Sequence, residues 1–205
     1  MTNFREGVRI VLAIVMITGC GISRAVDSAW GFEALMQSLG QHAVFRADFI
    51  ELRSSMFLSR PVKLKGILEF DAQKEMRKFI NSPFKEEFII NKSFIVVNRI
   101  RDSGPEEMVQ TIQYSLAKYP FLSKAISGVS NIFAGDREIL DELYHSELSG
   151  SRDAWSLHLE PKHEKLAEFI SSITVRGSNG IIESVLTLEA DGDESEMTLH
   201  NRQDG

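Results

Sequence analysis

Residues 45–49 read FRADF and residues 62–70 read VKLKGILEF. Apolar side chains alternate in both with charged or small ones, which predicts β-strands that bury one face. Strands with one wet face are typical of antiparallel sheets, and their apolar face needs a second layer over it.

The same alternation continues along the chain, interrupted by turn sequences rich in Gly, Asn, Asp and Pro. It predicts further strands at residues 76–80, 87–90, 93–99, 108–113, 144–149, 155–159, 173–176, 181–190 and 196–200. Apolar residues at helical spacing predict helices within 29–42 and 121–134, a short one capped by Asp136, and one carrying Leu166, Phe169 and Ile170. The predicted fold class is therefore α+β, an antiparallel sheet with helices over its apolar face.

The first 25 residues have the build of a secretory signal. Arg5 and Arg9 precede an apolar run at 10–17, which is shorter than the roughly 20 residues that a membrane span needs. Two processing routes stay open. Cleavage before Val26 leaves a soluble domain at 26–205, whereas residues 17–20 (ITGC) resemble a bacterial lipobox, in which the 1–19 signal is removed and Cys20 is acylated. We expect a periplasmic protein by the first route and a membrane-anchored lipoprotein by the second.

The charge balance argues against nucleic acid as a partner. The whole chain carries a formal charge of −6, and without residues 1–25 it carries −8. Phosphate contacts require Lys or Arg, which are outnumbered here. Cys20 is the single cysteine, so no internal disulfide can form and the core has to stabilise the domain.

We find no pattern of catalytic or metal-binding residues. The five histidines are scattered without ligand spacing, and neither a nucleophile elbow nor a phosphate-binding glycine loop is present. The sequence thus predicts a protein that is not an enzyme and that uses no cofactor and no metal.

One loop stands apart from the turns. Residues 54–61 (SSMFLSRP) carry three consecutive apolar residues between two strands. Two interpretations stay open: these side chains pack under the sheet edge as a small satellite cluster, or they contact a membrane or cargo.

The order of these elements resembles the outer-membrane lipoprotein carrier (LolA-like) family. The resemblance rests on FRADFIELR at 45–53, LSRP at 58–61, LKGILEF at 64–70, the SG…WSLHLEP hairpin at 149–161 and residues 182–193. It spans nearly the whole chain after the signal and is greatest for the divergent LolA-related branch of that family.

The resemblance implies an unclosed β-barrel, lidded by helices over an apolar cavity that takes acyl chains. It also implies a monomeric carrier that receives an acylated cargo, a lipoprotein or related lipid, from an inner-membrane exporter and delivers it to an outer-membrane acceptor. The predicted cavity residues are the strand residues Phe45, Phe49, Leu64, Leu68, Phe70, Phe94, Val96 and Trp155 and the lid residues Leu122, Ile126, Val129 and Phe133.

Two features qualify what the resemblance implies. Carriers of this family hold the lid with an arginine soon after the second strand, but residues 71–74 read DAQK here, so that latch is not carried over. The acceptor of the same pathway shares the fold and is itself a lipoprotein. A membrane-anchored acceptor is therefore the alternative function, and an envelope structural protein without a cavity is a further one.

Overall fold

A single antiparallel sheet dominates the computed structural model, which describes residues 30–72, 75–91, 93–102, 107–118 and 130–205. Within these residues the strands are β1 (Val44–Ser54), β2 (Val62–Asp71), β3 (Glu75–Ser82), β4 (Lys85–Ile90), β5 (Phe94–Asp102), β6 (Glu107–Ser115), β7 (Tyr144–Ser151), β8 (Ala154–Pro161), β9 (Ile170–Ser178), β10 (Ile181–Glu189) and β11 (Glu194–Asp204).

The strand order is β6-β5-β4-β3-β2-β1-β11-β10-β9-β8-β7. The sheet is curled but not closed, since β6 and β7 form its two edges. Its centre is the pair of β1 and β11, the first and the last strands among the described residues. The fold is thus α+β with an unclosed barrel, as the sequence and the resemblance predict.

The helices cover the inner face of the curled sheet. They are α1 (Phe32–Gly40), α2 (Arg137–Leu143) and α3 (Glu164–Ala167), and residues 130–134 are helical as well. The predicted cap of α2 is confirmed, because the Ile139 amide donates to Asp136 Oδ1 at 3.4 Å. The signal segment, Cys20 and residues 121–129 of the predicted lid helix lie outside the described residues.

The predicted helix through Phe169 and Ile170 is shorter than the apolar spacing suggested. The helix α3 ends at Ala167, and Ile170 already begins β9. The Phe169 carbonyl accepts the Ala190 amide at 3.1 Å, so the backbone enters the sheet here and leaves the Phe169 side chain exposed. Sheet pairing takes precedence over helical spacing at this position.

The core lies between the inner face and the helices. Leu35, Met36 and Leu39 of α1 are buried, as are Leu140 and Leu143 of α2. Each such side chain contributes about 1.5–3 kcal/mol by leaving water. In the described part of the chain, no helix has the length and apolarity needed to cross a bilayer.

Candidate binding cavity on the inner face

Strand register defines the inner face residue by residue. In an antiparallel pair, residues directly opposite each other point to the same side of the sheet. Phe45 lies opposite Phe70, Phe70 opposite Met76, and Met76 opposite Ile90. On the other side of β1, Phe49 lies opposite Leu199 and Glu51 opposite Met197. One continuous, mostly apolar surface therefore runs across the centre of the sheet.

Three phenylalanines fill one part of this surface. Phe133, from the helical residues 130–134, packs against Phe45 and Phe70 with ring centroids 5.4 and 5.5 Å apart, and the last two rings are 5.7 Å apart. All three side chains are buried. Tilted aromatic contacts of this kind stabilise by about 0.5–1.5 kcal/mol per pair beyond the buried area. This cluster is filled core.

A cavity of about 200 Å³ remains open beside the aromatic cluster. Every strand residue in its wall lies on the inner face by register, and Phe133 closes one side. The apolar part of the wall consists of Leu68, Met76, Phe133, Val185 and Met197. The polar part consists of Glu51, Arg53, Lys78, Thr187, Glu189 and Ser195.

A buried ion pair forms the polar part of the cavity. Glu51 is only 1% exposed, yet it receives the Lys78 ammonium on Oε2 and the Arg53 guanidinium on Oε1 at 2.7 Å. The Ser195 hydroxyl donates to the same Oε1 at 2.7 Å. Both carboxylate oxygens are therefore hydrogen-bonded, which is the condition under which a buried carboxylate is tolerated.

Lys78 reaches Glu51 by crossing the ring of Phe49. The two residues lie on β3 and β1, with β2 between them. Gly66 of β2 faces Phe49, and a Cβ on Gly66 would lie 2.9 Å from a Phe49 ring carbon. The ring thus occupies the space that a side chain on β2 would fill, and the Lys78 nitrogen lies 5.0 Å from the centre of that ring. This position adds a cation–π contact to the ion pair.

The charges of the cluster are set by opposing effects. Burial alone would raise the pKa of Glu51, but Lys78 and Arg53 outweigh it and hold this pKa at about 2. Burial lowers the pKa of Lys78, and Glu51 offsets part of that effect. Burial also raises the pKa of Glu189, aided by the neighbouring Asp191 and Asp193. Glu51 is therefore ionised at neutral pH although it lies inside the protein.

This pKa predicts a loss of stability in acid. The folded pKa of Glu51 is about 2 and its ordinary value is 4.5, so the stabilisation is complete above pH 4.5 and is lost as the pH falls towards 2. The free energy involved is on the order of 3 kcal/mol. We expect the melting temperature of the wild type to fall over this pH range more steeply than that of a Glu51→Gln/Lys78→Met variant. Parallel pH profiles for the two proteins would contradict the prediction.

The structure places the sequence-predicted cavity residues in three groups. Leu68 and Phe133 lie in the cavity wall. Phe94 and Val96 lie on the opposite face of the sheet, because Phe88 pairs with Val97 and so Ile95 and Val97 share the inner face. The remaining described ones are buried on the inner face outside that wall: Phe45, Phe49, Leu64, Phe70 and Trp155. Leu122, Ile126 and Val129 are outside the described residues.

Sequence reasoning missed the polar part of the cavity. A signal was present, since Glu51 continues the inner-face series Phe45, Ala47 and Phe49, and Lys78 lies between the inward-facing Met76 and Ile80. A charged residue in the apolar register of a strand, matched by one of opposite sign on a nearby strand, indicates a buried ion pair.

A larger hollow of about 470 Å³ lies at the other end of β1 and β2. It is open to solvent, and charged side chains make up much of its wall, among them Arg46, Glu69, Glu75 and Arg77. Phe45 and Phe70 border it as well, but it is more open to solvent than the 200 Å³ cavity and would shield an acyl chain less from water. Among the residues that the structure describes, no group of three His, Cys, Asp or Glu side chains is placed to hold a metal ion.

An unclosed antiparallel barrel with helices on its inner face is the fold of the lipoprotein-carrier-like proteins. The chain belongs to the family described as outer membrane lipoprotein carrier protein LolA-like, whose model matches residues 20–202. A comparison with curated proteins gave no match.

Solved structures with a similar fold share little sequence with the chain. A LolA superfamily protein from Nitrosomonas europaea is 10% identical, with 86% of this chain and 94% of that chain covered and a TM-score of 0.43. A chain of the MucA/MucB complex of Pseudomonas aeruginosa is 12% identical, with 85% of this chain and 57% of that chain covered and a TM-score of 0.45. LprF from Mycobacterium bovis is 9% identical, with 83% and 92% covered and a TM-score of 0.37.

Proposed function

We propose that the protein is a non-enzymatic carrier that binds the acyl chains of a lipoprotein or related lipid in the inner-face cavity. In this proposal it works in the periplasm and moves its cargo from an inner-membrane exporter towards an outer-membrane acceptor. The observation that carries the proposal is the partly apolar cavity left between Phe133 and the sheet in a LolA-like fold.

The chemistry of the wall fits a lipid with a polar linkage. Leu68, Met76, Val185 and Met197 offer methylene and thioether surface to an acyl chain. Burial of each methylene group of such a chain contributes about 0.8 kcal/mol. The buried Glu51 cluster lies in the same cavity and offers donors and an acceptor to an ester, amide or hydroxyl group at the end of the chain.

The size of the cavity sets a further requirement. Its volume of about 200 Å³ is below the roughly 300–1,000 Å³ that is usual for small-molecule pockets. The cavity thus accepts part of an acyl chain as it stands and has to widen to enclose a whole one. Widening would shift Phe133, whose contacts with Phe45 and Phe70 each contribute only about 0.5–1.5 kcal/mol beyond the buried area.

A membrane-anchored acceptor of the same fold is the second candidate. The lipobox-like residues 17–20 favour it, since acylation of Cys20 would fix the domain to a bilayer. The same cavity would then receive cargo instead of carrying it.

Mass spectrometry of lipids extracted from the protein, purified from its native envelope, tests the proposed function directly. We expect acylated molecules in stoichiometric amounts. Protein that carries no lipid and binds no fluorescent fatty acid would contradict a carrier or acceptor function and favour an envelope structural protein.

Filling the cavity is expected to block binding without unfolding the protein. Val185 is in the cavity wall, so the larger side chain of Val185→Phe can enter free space. We expect uptake of a fluorescent fatty acid to fall about tenfold or more, since the variant removes contacts with several methylene groups. The melting temperature should change little.

Val175 provides the matched control for this variant. It lies directly opposite Val185 on the inner face and is fully buried, but it does not line the cavity. The same change, Val175→Phe, should therefore overpack the core and cost about 1–3 kcal/mol. Equal destabilisation by the two substitutions would mean that the space beside Val185 is not available to a ligand.

A further inference from the structure

The exposed large apolar side chains of the described residues gather at one end of the sheet. We call this the apolar end; there β1 leads to β2, β3 to β4, β5 to β6 and β10 to β11. Only Val44 and Tyr114 among the described ones lie at the opposite end. Those at the apolar end are Leu52, Met56, Phe57, Leu58, Phe84, Met108, Val109, Phe169 and Leu188.

The loop between β1 and β2 contributes the most exposed of these side chains. Met56 is 75% exposed and Phe57 is 86% exposed. The loop is nevertheless ordered, because the amides of Leu58 and Phe57 donate to the carbonyl and hydroxyl oxygens of Ser55 at 3.0 and 3.3 Å. The interpretation of this tip as a satellite cluster under the sheet edge is therefore wrong. A contiguous apolar tip in water is typical of a docking surface.

Neighbouring hairpins extend this tip into a row. In the sheet order, β1–β2, β3–β4 and β5–β6 are successive pairs, so the strand ends of neighbouring pairs lie about 10 Å apart along the rim. Phe84 lies between β3 and β4, and Met108 is the second residue of β6. A row of apolar hairpin ends fits a broad, fluid surface better than a single pocket on a protein partner.

The cavity reaches the same end of the sheet. Its wall includes Arg53, Glu189 and Ser195, each at or one residue from the end of its strand at the apolar end. Arg53 is two residues before Ser55, where the apolar loop begins. A ligand that leaves the cavity on this side thus emerges beside Met56 and Phe57.

Basic residues flank the apolar loop. Arg60 and Lys63 are exposed on the side where the loop leads into β2, and Arg53 is more than half exposed at the end of β1. Anionic lipid headgroups attract such residues, and each one strengthens binding about fivefold. The acidic turn at 190–194 lies beside the loop across β11, so this attraction is modest and the apolar side chains supply most of the affinity.

We propose that the apolar end docks on the surface of a lipid bilayer, with Met56 and Phe57 inserted among the acyl chains. The role of this docking rests on the proposed function. It would place the end of the cavity that Arg53, Glu189 and Ser195 line against the membrane that supplies or receives the cargo. The docking itself depends only on the exposed side chains and the basic residues beside them.

A single environment-sensitive label tests which end meets the bilayer. Cys20→Ser removes the only native thiol, and Ser59→Cys then places the label beside the apolar tip without altering it. Ser151→Cys, exposed at the opposite end of the sheet, is the matched control. With vesicles of phosphatidylcholine and phosphatidylglycerol, we expect a blue shift and quenching by bromolipids at position 59 and neither at position 151. The full chain can be used, because membrane binding through the N-terminal segment alone would leave both labels in water and so differs from docking of the apolar end.

Substitutions then identify the side chains responsible. In the protein labelled at position 59, Met56→Ser/Phe57→Ser should lower the affinity for vesicles about tenfold or more, because two large apolar groups no longer leave water. Val44→Ser/Tyr114→Ser should have no effect. Lys63→Gln should weaken binding about fivefold on anionic vesicles and leave binding to pure phosphatidylcholine unchanged.

The outcomes separate this inference from the proposed function. A label at position 59 that stays in water with every vesicle, or that responds only to a protein partner, overturns the docking proposal even if the cavity binds a fluorescent fatty acid. A label that inserts in a protein whose cavity binds no fatty acid leaves the docking proposal standing and removes the carrier function.

Discussion

Replacing Glu51 by glutamine is expected to lower the free energy of unfolding by about 3–5 kcal/mol, the usual cost of removing one partner of a buried ion pair. The substitution preserves the shape of the side chain but removes its charge. Lys78 would then be left in the cavity with an ammonium group that burial disfavours. Chemical denaturation measured at neutral pH would give the value.

Two variants make this result specific to the buried pair. Lys78→Met added to Glu51→Gln should restore most of the stability, because replacing both partners of a buried pair is often neutral or stabilising. Glu69→Gln breaks the exposed pair with Arg46 and should cost less than about 1 kcal/mol. A Glu51→Gln protein as stable as the Glu69→Gln protein would show that Glu51 is not held as described.

Gly66→Ala is expected to destabilise the protein by about 3 kcal/mol or more, at or above the upper end of overpacking in a core. An added Cβ would lie 1.8 Å from the Phe79 carbonyl oxygen of the adjacent strand, closer than any real contact. The strand β2 would have to move away from β3. This movement would disturb the pairing of the two strands, whose register is already irregular between Lys65 and Gly66. Phe49 would be displaced as well, since its ring lies over this glycine.

Gly40→Ala is the control for the Gly66 variant. A Cβ at Gly40 meets only the Ala134 carbonyl oxygen at 3.5 Å, an ordinary contact. We expect its free energy of unfolding to stay near that of the wild type. Thermal and denaturant unfolding of the two variants side by side would check the difference, and a Gly66→Ala protein as stable as the Gly40→Ala protein would refute the packing described for β2.

The fold was largely predictable because its signal is local. Alternation over residues 45–49 and 62–70 marks strands wherever they lie in space, and the structure lengthens the first to Val44–Ser54 and the second to Val62–Asp71. The prediction of a helix through Phe169 failed for the opposite reason. Its apolar spacing is local, but the Ala190 amide, which donates to the Phe169 carbonyl and draws the backbone into the sheet, comes from a distant segment.

The cavity was less predictable because it depends on distances between elements. Phe49 and Leu68 both lie on the inner face, yet the first packs against Gly66 and Lys78 and the second borders open space. Alternation cannot separate these cases, since both residues occupy the same register. For Phe94 the predicted face depended on register across two further hairpins, which the sequence pattern does not determine.

The central pairing of β1 with β11 also affects how the protein folds. The Ser195 hydroxyl and the Glu51 carboxylate are 144 positions apart in the chain, and the strands that carry them join the two halves of the sheet. Until β11 is available, β1–β6 and β7–β10 can form only as separate groups of strands with β1 and β10 as open edges. Pairings so distant in sequence slow folding, and open edges expose intermediates to aggregation. A chain synthesised from its N-terminus therefore keeps β1 unpaired on one side until β11 has been synthesised, and loss of β11 would divide the sheet instead of shortening it.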